Sequence, residues 1–222
     1  PVNGPLIRAL WAQATCVGVP GGDAEATAVD QNALKASALT VLAMAAAKHP
    51  EIVAPHVDHA AGVLELACTK KKPTLARAAA SLLKCARPGG NAGTPDSMGV
   101  AAPALAPDAP AFAALAKVLS PCSPLPGRGW YPAAEQSIAA LYALHPDPEG
   151  AAGDVLRSFA AAAFPGDDND GGDGDGGGGG GGGVEKVNAA YLARFLFVLG
   201  EVALRHLVHA ENLGRAVRRA RM

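Results

Sequence analysis

Residues 130–149, WYPAAEQSIAALYALHPDPE, constrain this chain more than any other stretch. An aromatic pair and Pro132 open a helix, and Ala133, Ile138, Leu141, Tyr142 and Leu144 recur at helical spacing. The pattern stops at His145-Pro146-Asp147-Pro148, and a second amphipathic run begins at Glu149 and reaches Phe164. Two helices joined by so short a Pro-punctuated turn must fold back alongside each other. Neither hides its apolar stripe alone. Such a helix–turn–helix is the building unit of an α-solenoid, and stacked units of this kind make binding surfaces far more often than active sites.

The rest of the chain agrees with that unit. Half of its 222 residues are hydrophobic, much of this alanine, the strongest helix former. Alternating Val/Ile/Thr runs are nearly absent, so no strand is expected. The fold class is therefore all-α, an α-solenoid of HEAT-type antiparallel helix pairs. Residues 6–16 read as a helix end, and residues 17–28 as a loop around Pro20-Gly21-Gly22-Asp23. Asp30 is placed to cap a helix running to about Lys48, with Leu34, Ala38, Val41, Leu42 and Ala45 inward. A helix over 55–69 buries Val57, Ala61, Leu64 and Cys68, and one over 73–86 buries Leu75, Ala79, Leu82 and Leu83. Residues 87–108 form a loop, 110–119 a short helix and 120–129 a second loop, broken by Pro121, Pro124 and Pro126.

Residues 165–183 are Asp/Gly-rich and end in an unbroken glycine run from Gly176. Ordering them costs about 1–2 kcal/mol per residue with almost no apolar surface to offset it, so disorder is expected there. Helical patterning resumes at Val184, which makes the segment an insertion between helices. The organisation is thus a HEAT-repeat segment over 1–164, the insertion over 165–184, and a long amphipathic helix over 185–222 continuing the solenoid. On that helix Leu192, Phe195, Leu196, Leu199, Val202, Ala203 and Leu207 form a broad apolar face. Arg194, Glu201 and Arg205 interrupt it, which excludes a membrane span. A chain that opens on Pro1 without an initiator Met reads as a fragment of a longer protein.

The formal net charge of −1 gives no global field, so local clusters matter more. Lys70, Lys71 and Lys72 complement a helix C-terminus and can also touch phosphate. Arg215, Arg218, Arg219 and Arg221 share helix faces, and their planar forks suit phosphate or acidic partners. Trp130 and Tyr131 are either protein-interface anchors or packing between repeats.

Reactive chemistry is hard to place. The four cysteines, Cys16, Cys68, Cys85 and Cys122, are scattered without a C-x-x-C pair, and read as reduced, mostly buried thiols. The pairs His56/His59 and His206/His209 have metal-ligand spacing but no third ligand nearby in sequence. The run from Gly172 to Gly177 formally fits G-x-G-x-x-G without the strand and helix that motif needs. No nucleophile–base pair is evident, and Glu135 suits the helix dipole better than catalysis. No catalytic, cofactor or metal residue is therefore assigned, and no cofactor or small-molecule substrate is expected.

Two blocks carry a family resemblance. In residues 130–144, Trp130, Ala133, Ala134, Glu135, Ile138, Ala140, Leu141, Tyr142 and Leu144 match W-[FY]-x-A-A-E-x-A-I-x-A-[IL]-Y-x-L. In residues 194–211, Arg194, Leu196, Phe197, Val198, Gly200, Val202, Ala203, Leu204, Leu207, Val208, His209 and Glu211 match R-x-[LI]-F-V-x-G-x-[VI]-A-L-x-x-L-V-H-x-E. Together they resemble the non-SMC HEAT-repeat subunit of condensin, condensin subunit 1. The resemblance implies a non-enzymatic scaffold that grips kleisin, assembles with the ATPase-bearing SMC subunits and helps hold DNA during mitotic chromosome condensation. It implies a nuclear and mitotic-chromosome location, with a cytoplasmic pool. Two rivals remain open: a HEAT/armadillo scaffold of another pathway, such as a transport receptor or phosphatase scaffold, and a small helical metalloenzyme using His206, His209 and Glu201.

Overall fold

A computed structural model describes residues 4–15, 24–86, 105–164 and 188–221. Among them run α1 (Gly4–Thr15), α2 (Ala24–Ala46), α3 (Val57–Thr69), α4 (Pro73–Lys84), α5 (Pro110–Val118), α6 (Gly127–Leu144), α7 (Pro148–Ala163) and α8 (Ala189–Ala220). Two 3-10 turns, Pro50–Ile52 and Ala54–His56, carry the chain from α2 to α3. No strand occurs among the described residues.

Local chemistry sets the helix starts. Pro73, Pro110 and Pro148 each stand first in a helix, where a missing N–H costs nothing. The Asp147 carboxylate accepts from Gly150 N at 3.0 Å and begins α7. The Asn188 amide oxygen accepts from Ala190 N at 3.0 Å and begins α8.

Packing follows chain order. α1 lies on α2, α3 on α4, α5 on α6 and α7 on α8, while the second helix of each pair touches the next, α2 to α4 to α6 to α8. This is the expected all-α helical solenoid. The helix–turn–helix of residues 130–164 straddles two pairs: α6 closes one with α5, and α7 opens the next with α8.

α4 is the inner strut, touching α2, α3 and α6. Leu75, Ala76, Ala78, Ala79, Ala80, Leu82 and Leu83 are all buried, and the alanines let three neighbours approach. The faces expected of α3 and α4 are the buried ones. Between helices, Lys84 Nζ donates to Gln136 Oε1 at 2.9 Å and Lys117 pairs with Glu65 at 3.0 Å.

Several boundaries and faces differ from the sequence reading. α2 begins at Ala24, so Ala24–Ala28 are helical and Asp30 lies inside the helix rather than capping it. Its buried line is Ala38, Leu39, Leu42, Ala43 and Ala46, while Leu34 and Val41 are exposed. Residues 33–46 are apolar on nearly every side, so periodicity does not select a face, and contact with α1 and α4 does. α6 begins at Gly127, inside the segment expected to be a loop. Pro132 therefore lies within the helix instead of opening it, where it forgoes one backbone hydrogen bond. Residues 17–23 and 87–104 of the expected loops, Cys16, and the insertion over 165–184 with its expected disorder lie outside the described residues.

α4 and α6 meet most tightly at their starts. A methyl group on Gly129 would sit 2.6 Å from Pro73 Cγ, and that ring cannot rotate away. Gly129→Ala is expected to destabilise the chain by about 1–3 kcal/mol through overpacking. Gly127→Ala, whose methyl would meet nothing within 4 Å, is expected to change far less. Urea denaturation of the two variants checks this.

Candidate interaction surfaces

Trp130 joins four helices. It is fully buried, and its Nε1 donates to the Val118 carbonyl at 2.8 Å, which ties α6 to the end of α5. Its ring meets Phe159 of α7 and Phe197 of α8, each at 5.8 Å between centroids. The Arg194 guanidinium lies 4.8 Å from the same ring centroid. Arg194 also donates to the carbonyls of Pro121 at 2.9 Å and Leu125 at 3.4 Å, fastening α8 to the loop between α5 and α6. Of the two roles open to Trp130, the structure assigns repeat packing. Tyr131 is half-buried, edge-on to Phe197 at 5.0 Å, and it lines a surface cavity of about 480 Å³ beside Arg194.

α8 does not bury the face expected of it. Val198 and Val202 are buried and Phe195 is partly so, but Leu196, Leu199 and Leu207 are 42–68% exposed. Leu204, Val208, Leu213 and Val217 are exposed as well. The helix is apolar over more than half its circumference, and α6 and α7 cover only the sector through Arg194, Val198 and Val202. The outer sector, Leu196–Leu199–Ala203–Leu207–Ala210, recurs at helical spacing and is exposed.

The basic clusters are separate. Lys70 closes α3, Lys71 has φ 54° and Lys72 precedes α4. Lys71 N bonds Cys68 O at 3.0 Å and Lys72 N bonds Ala67 O at 2.8 Å, a Schellman turn with lysine where glycine is usual. A side chain in that left-handed conformation costs about 1 kcal/mol. At the far end of α8, Arg215 pairs with Glu211 at 2.6 Å. Arg218 and Arg219 turn back through Nε to the carbonyls of Gly214 and Arg215 at 3.3 and 3.4 Å. Arg221 is the exposed C-cap. Arg218 lies roughly 36 Å along α8 from Arg194, at 1.5 Å per residue. Lys72 instead precedes Pro73, which abuts the start of α6. The structure therefore does not bring the lysines and arginines into one patch.

The histidines and cysteines go separate ways. His206 stands 3.7 Å from Glu149, His209 lies edge-on to Tyr142 at 6.0 Å, and Glu201 faces Arg205 at 4.0 Å. His56 stacks on Trp11 at 4.3 Å, and burial, with His59 beside it, lowers its pKa. Burial pushes the Cys68 thiol up to about 11 and raises Cys85, whereas Cys122 is exposed. The Tyr142 hydroxyl is buried without a partner, and burial together with Glu149 raises its pKa.

No family model matches the chain. It is 25% identical over 218 residues to the Condensin-1 complex subunit CAP-D2 of Arabidopsis thaliana, covering 98% of this chain and 14% of that protein. The chain thus spans a small part of that relative's length. The likeness supports a condensin-like HEAT-repeat region rather than one particular subunit.

Trp130→Phe should cost about 2–4 kcal/mol in urea denaturation, from the void left by the indole and the unpaired Val118 carbonyl. Tyr131→Phe should stay within about 0.5 kcal/mol. The outer face of α8 should make the isolated chain self-associate with rising concentration in sedimentation velocity. Replacing exposed Leu199 and Leu207 together by Glu should restore a monomer. A parent chain that stays monomeric at high concentration contradicts this.

Proposed function

We propose that this chain is a HEAT-repeat portion of a condensin non-SMC subunit, a non-enzymatic scaffold that binds kleisin and helps hold DNA during mitotic chromosome condensation. The observation that carries the reading is an alignment to a plant condensin subunit that runs through 98% of the chain. It crosses both motif helices, α6 and α8, and these pack on each other. Their matched residues include the Trp130–Arg194 contact itself. Stacked pairs with one continuous core and an outward apolar face suit a role in holding an extended partner.

DNA contact is assigned to the exposed ends of the fold, Lys70–Lys71–Lys72 and Arg218, Arg219 and Arg221. None of these forms an ion pair among the described residues. Arg215 contributes less because Glu211 already holds it. Such contact is sequence-independent and weakens steeply with salt. The protein works in the nucleus and on mitotic chromosomes, with a cytoplasmic pool, and SMC subunits supply the ATPase.

Affinity purification of the full-length protein tests the reading. Kleisin and SMC chains should co-purify in stoichiometric amounts. Recovery of transport cargo or phosphatase subunits in their place assigns the chain to another HEAT or armadillo pathway. In the same preparation, Gln at Lys70, Lys71, Lys72, Arg218, Arg219 and Arg221 should flatten the log–log dependence of duplex binding on salt.

A further inference from the structure

Four helices form an inner row. α2, α4, α6 and α8 touch in that order, so α4 and α6 each have an inner helix on both sides. α2 and α8 stand at the two ends of the row. Its helices run side by side from matching ends. The start of α6 meets the start of α4 where Gly129 abuts Pro73, and the starts of α6 and α8 border one cavity through Gly127 and Ala190.

Both end helices expose an apolar line. On α8 it is Leu196, Leu199, Ala203 and Leu207, with the leucines 42–68% exposed. On α2 it is Leu34, Val41 and Met44, at 52, 46 and 71%, with exposed Ser37 between them. The α2 line lies opposite Leu39, Leu42 and Ala46, which are buried. Neither line contains a charged residue. Small side chains leave both open to close approach, as the alanines of α4 do inside the row. A methyl group on Gly200, beside the α8 line, would meet nothing within 4 Å. At 1.5 Å per residue, each line runs about 15 Å and begins about 10–15 Å from the start of its helix. Two such helices laid with their starts together, as α4 and α6 lie, bring the two lines side by side.

We propose that a second copy of this chain docks on the outer face of α8, and that it does so with its α2. The contact continues the inner row from one copy to the next. It joins two different surfaces, so every addition leaves one α2 and one α8 free, and the assembly is an open head-to-tail chain. Pairing α8 with a second α8 about a two-fold axis is disfavoured by charge. It turns the helices antiparallel and brings Arg215, Arg218, Arg219 and Arg221 to the start of the partner's α8, where the macrodipole is positive. In the head-to-tail contact α2 ends at Ala46, and the arginines lie beyond it in water. The contact needs nothing from the condensin reading and is decided without it.

The test is sedimentation velocity of the 222-residue chain over a range of concentration, with two double variants. The parent should form dimers, then trimers and longer species, without a plateau at the dimer. Leu199→Glu with Leu207→Glu removes the α8 face, and Val41→Glu with Met44→Glu removes the α2 face. Each variant alone should stay monomeric. Their equimolar mixture should restore a dimer that grows no further, because one intact face of each kind remains. All four positions are exposed, so circular dichroism should show the helix content of the parent. If a variant fails to fold, the methyl-labelled parent decides: the methyl resonances of Leu34 and Val41 should shift with concentration together with those of Leu199 and Leu207. A parent that stays monomeric or stops at a dimer overturns the contact. So does a Val41→Glu/Met44→Glu variant that associates like the parent, a mixture that stays monomeric, or methyl shifts confined to α8.

Discussion

The inner helices among the described residues have more apolar surface than one partner can cover, and the fold depends on the resulting need for a second. α4 satisfies it on three sides, with α2, α3 and α6 all in contact. That is possible because Ala76, Ala78, Ala79 and Ala80 bring backbones close, leaving Leu82 and Leu83 to fill the gaps. Alanine contributes little burial individually, but it costs almost no side-chain entropy and allows dense helix contact. A larger side chain at the closest point, Gly129 on Pro73, has nowhere to go. The stack is therefore sensitive to volume at its joints and tolerant along its outer faces.

How much of this was legible depends on the contrast within each helix. α4 has charged residues and threonine on one side and an unbroken apolar line on the other, so Leu75, Ala79, Leu82 and Leu83 could be assigned inward from spacing alone. α3 is similar. In α2 and α8 the apolar residues run nearly all the way round, and periodicity carries no direction. Leu34 and Val41 were expected inside and lie outside; Leu39 lies fully buried and was not singled out. Pro132 misled the α6 boundary because a proline so near a helix start normally marks the first turn, whereas here the helix begins at Gly127. Of the candidate site residues, the three lysines fell on a helix end as expected, but their left-handed turn at Lys71 has no signature without glycine.

The cavity beside Arg194 was invisible for a related reason. Its parts come from the loop after α5, the first turn of α6 and the start of α8, which are far apart in sequence. Arg194 looked like an interruption in an apolar face. The structure makes it the pin of that face, with carbonyls of Pro121 and Leu125 on one side and the Trp130 ring on the other. Two carbonyl acceptors and an aromatic face offset part of the cost of withdrawing a guanidinium from water. The matching of both Trp130 and Arg194 to one family pattern could have suggested contact between the two blocks. Nothing in spacing specified which carbonyls would receive the charge.

Arg194 also explains why α8 sits with Val198 and Val202 inward and Leu199 and Leu207 outward. Residues 194, 198, 202 and 205 lie along one line of the helix, at i, i+4, i+8 and i+11. Fixing Arg194 over Trp130 fixes the rotation of the whole element. Rolling α8 to bury Leu199 and Leu207 would gain apolar contact on its outer sector. It would also break two carbonyl hydrogen bonds and the ring contact, and it would turn the buried valines to water. The polar contact at one end thus selects which apolar sector is core. The same choice leaves a long hydrophobic line on the outside of the stack, available to whatever packs there next.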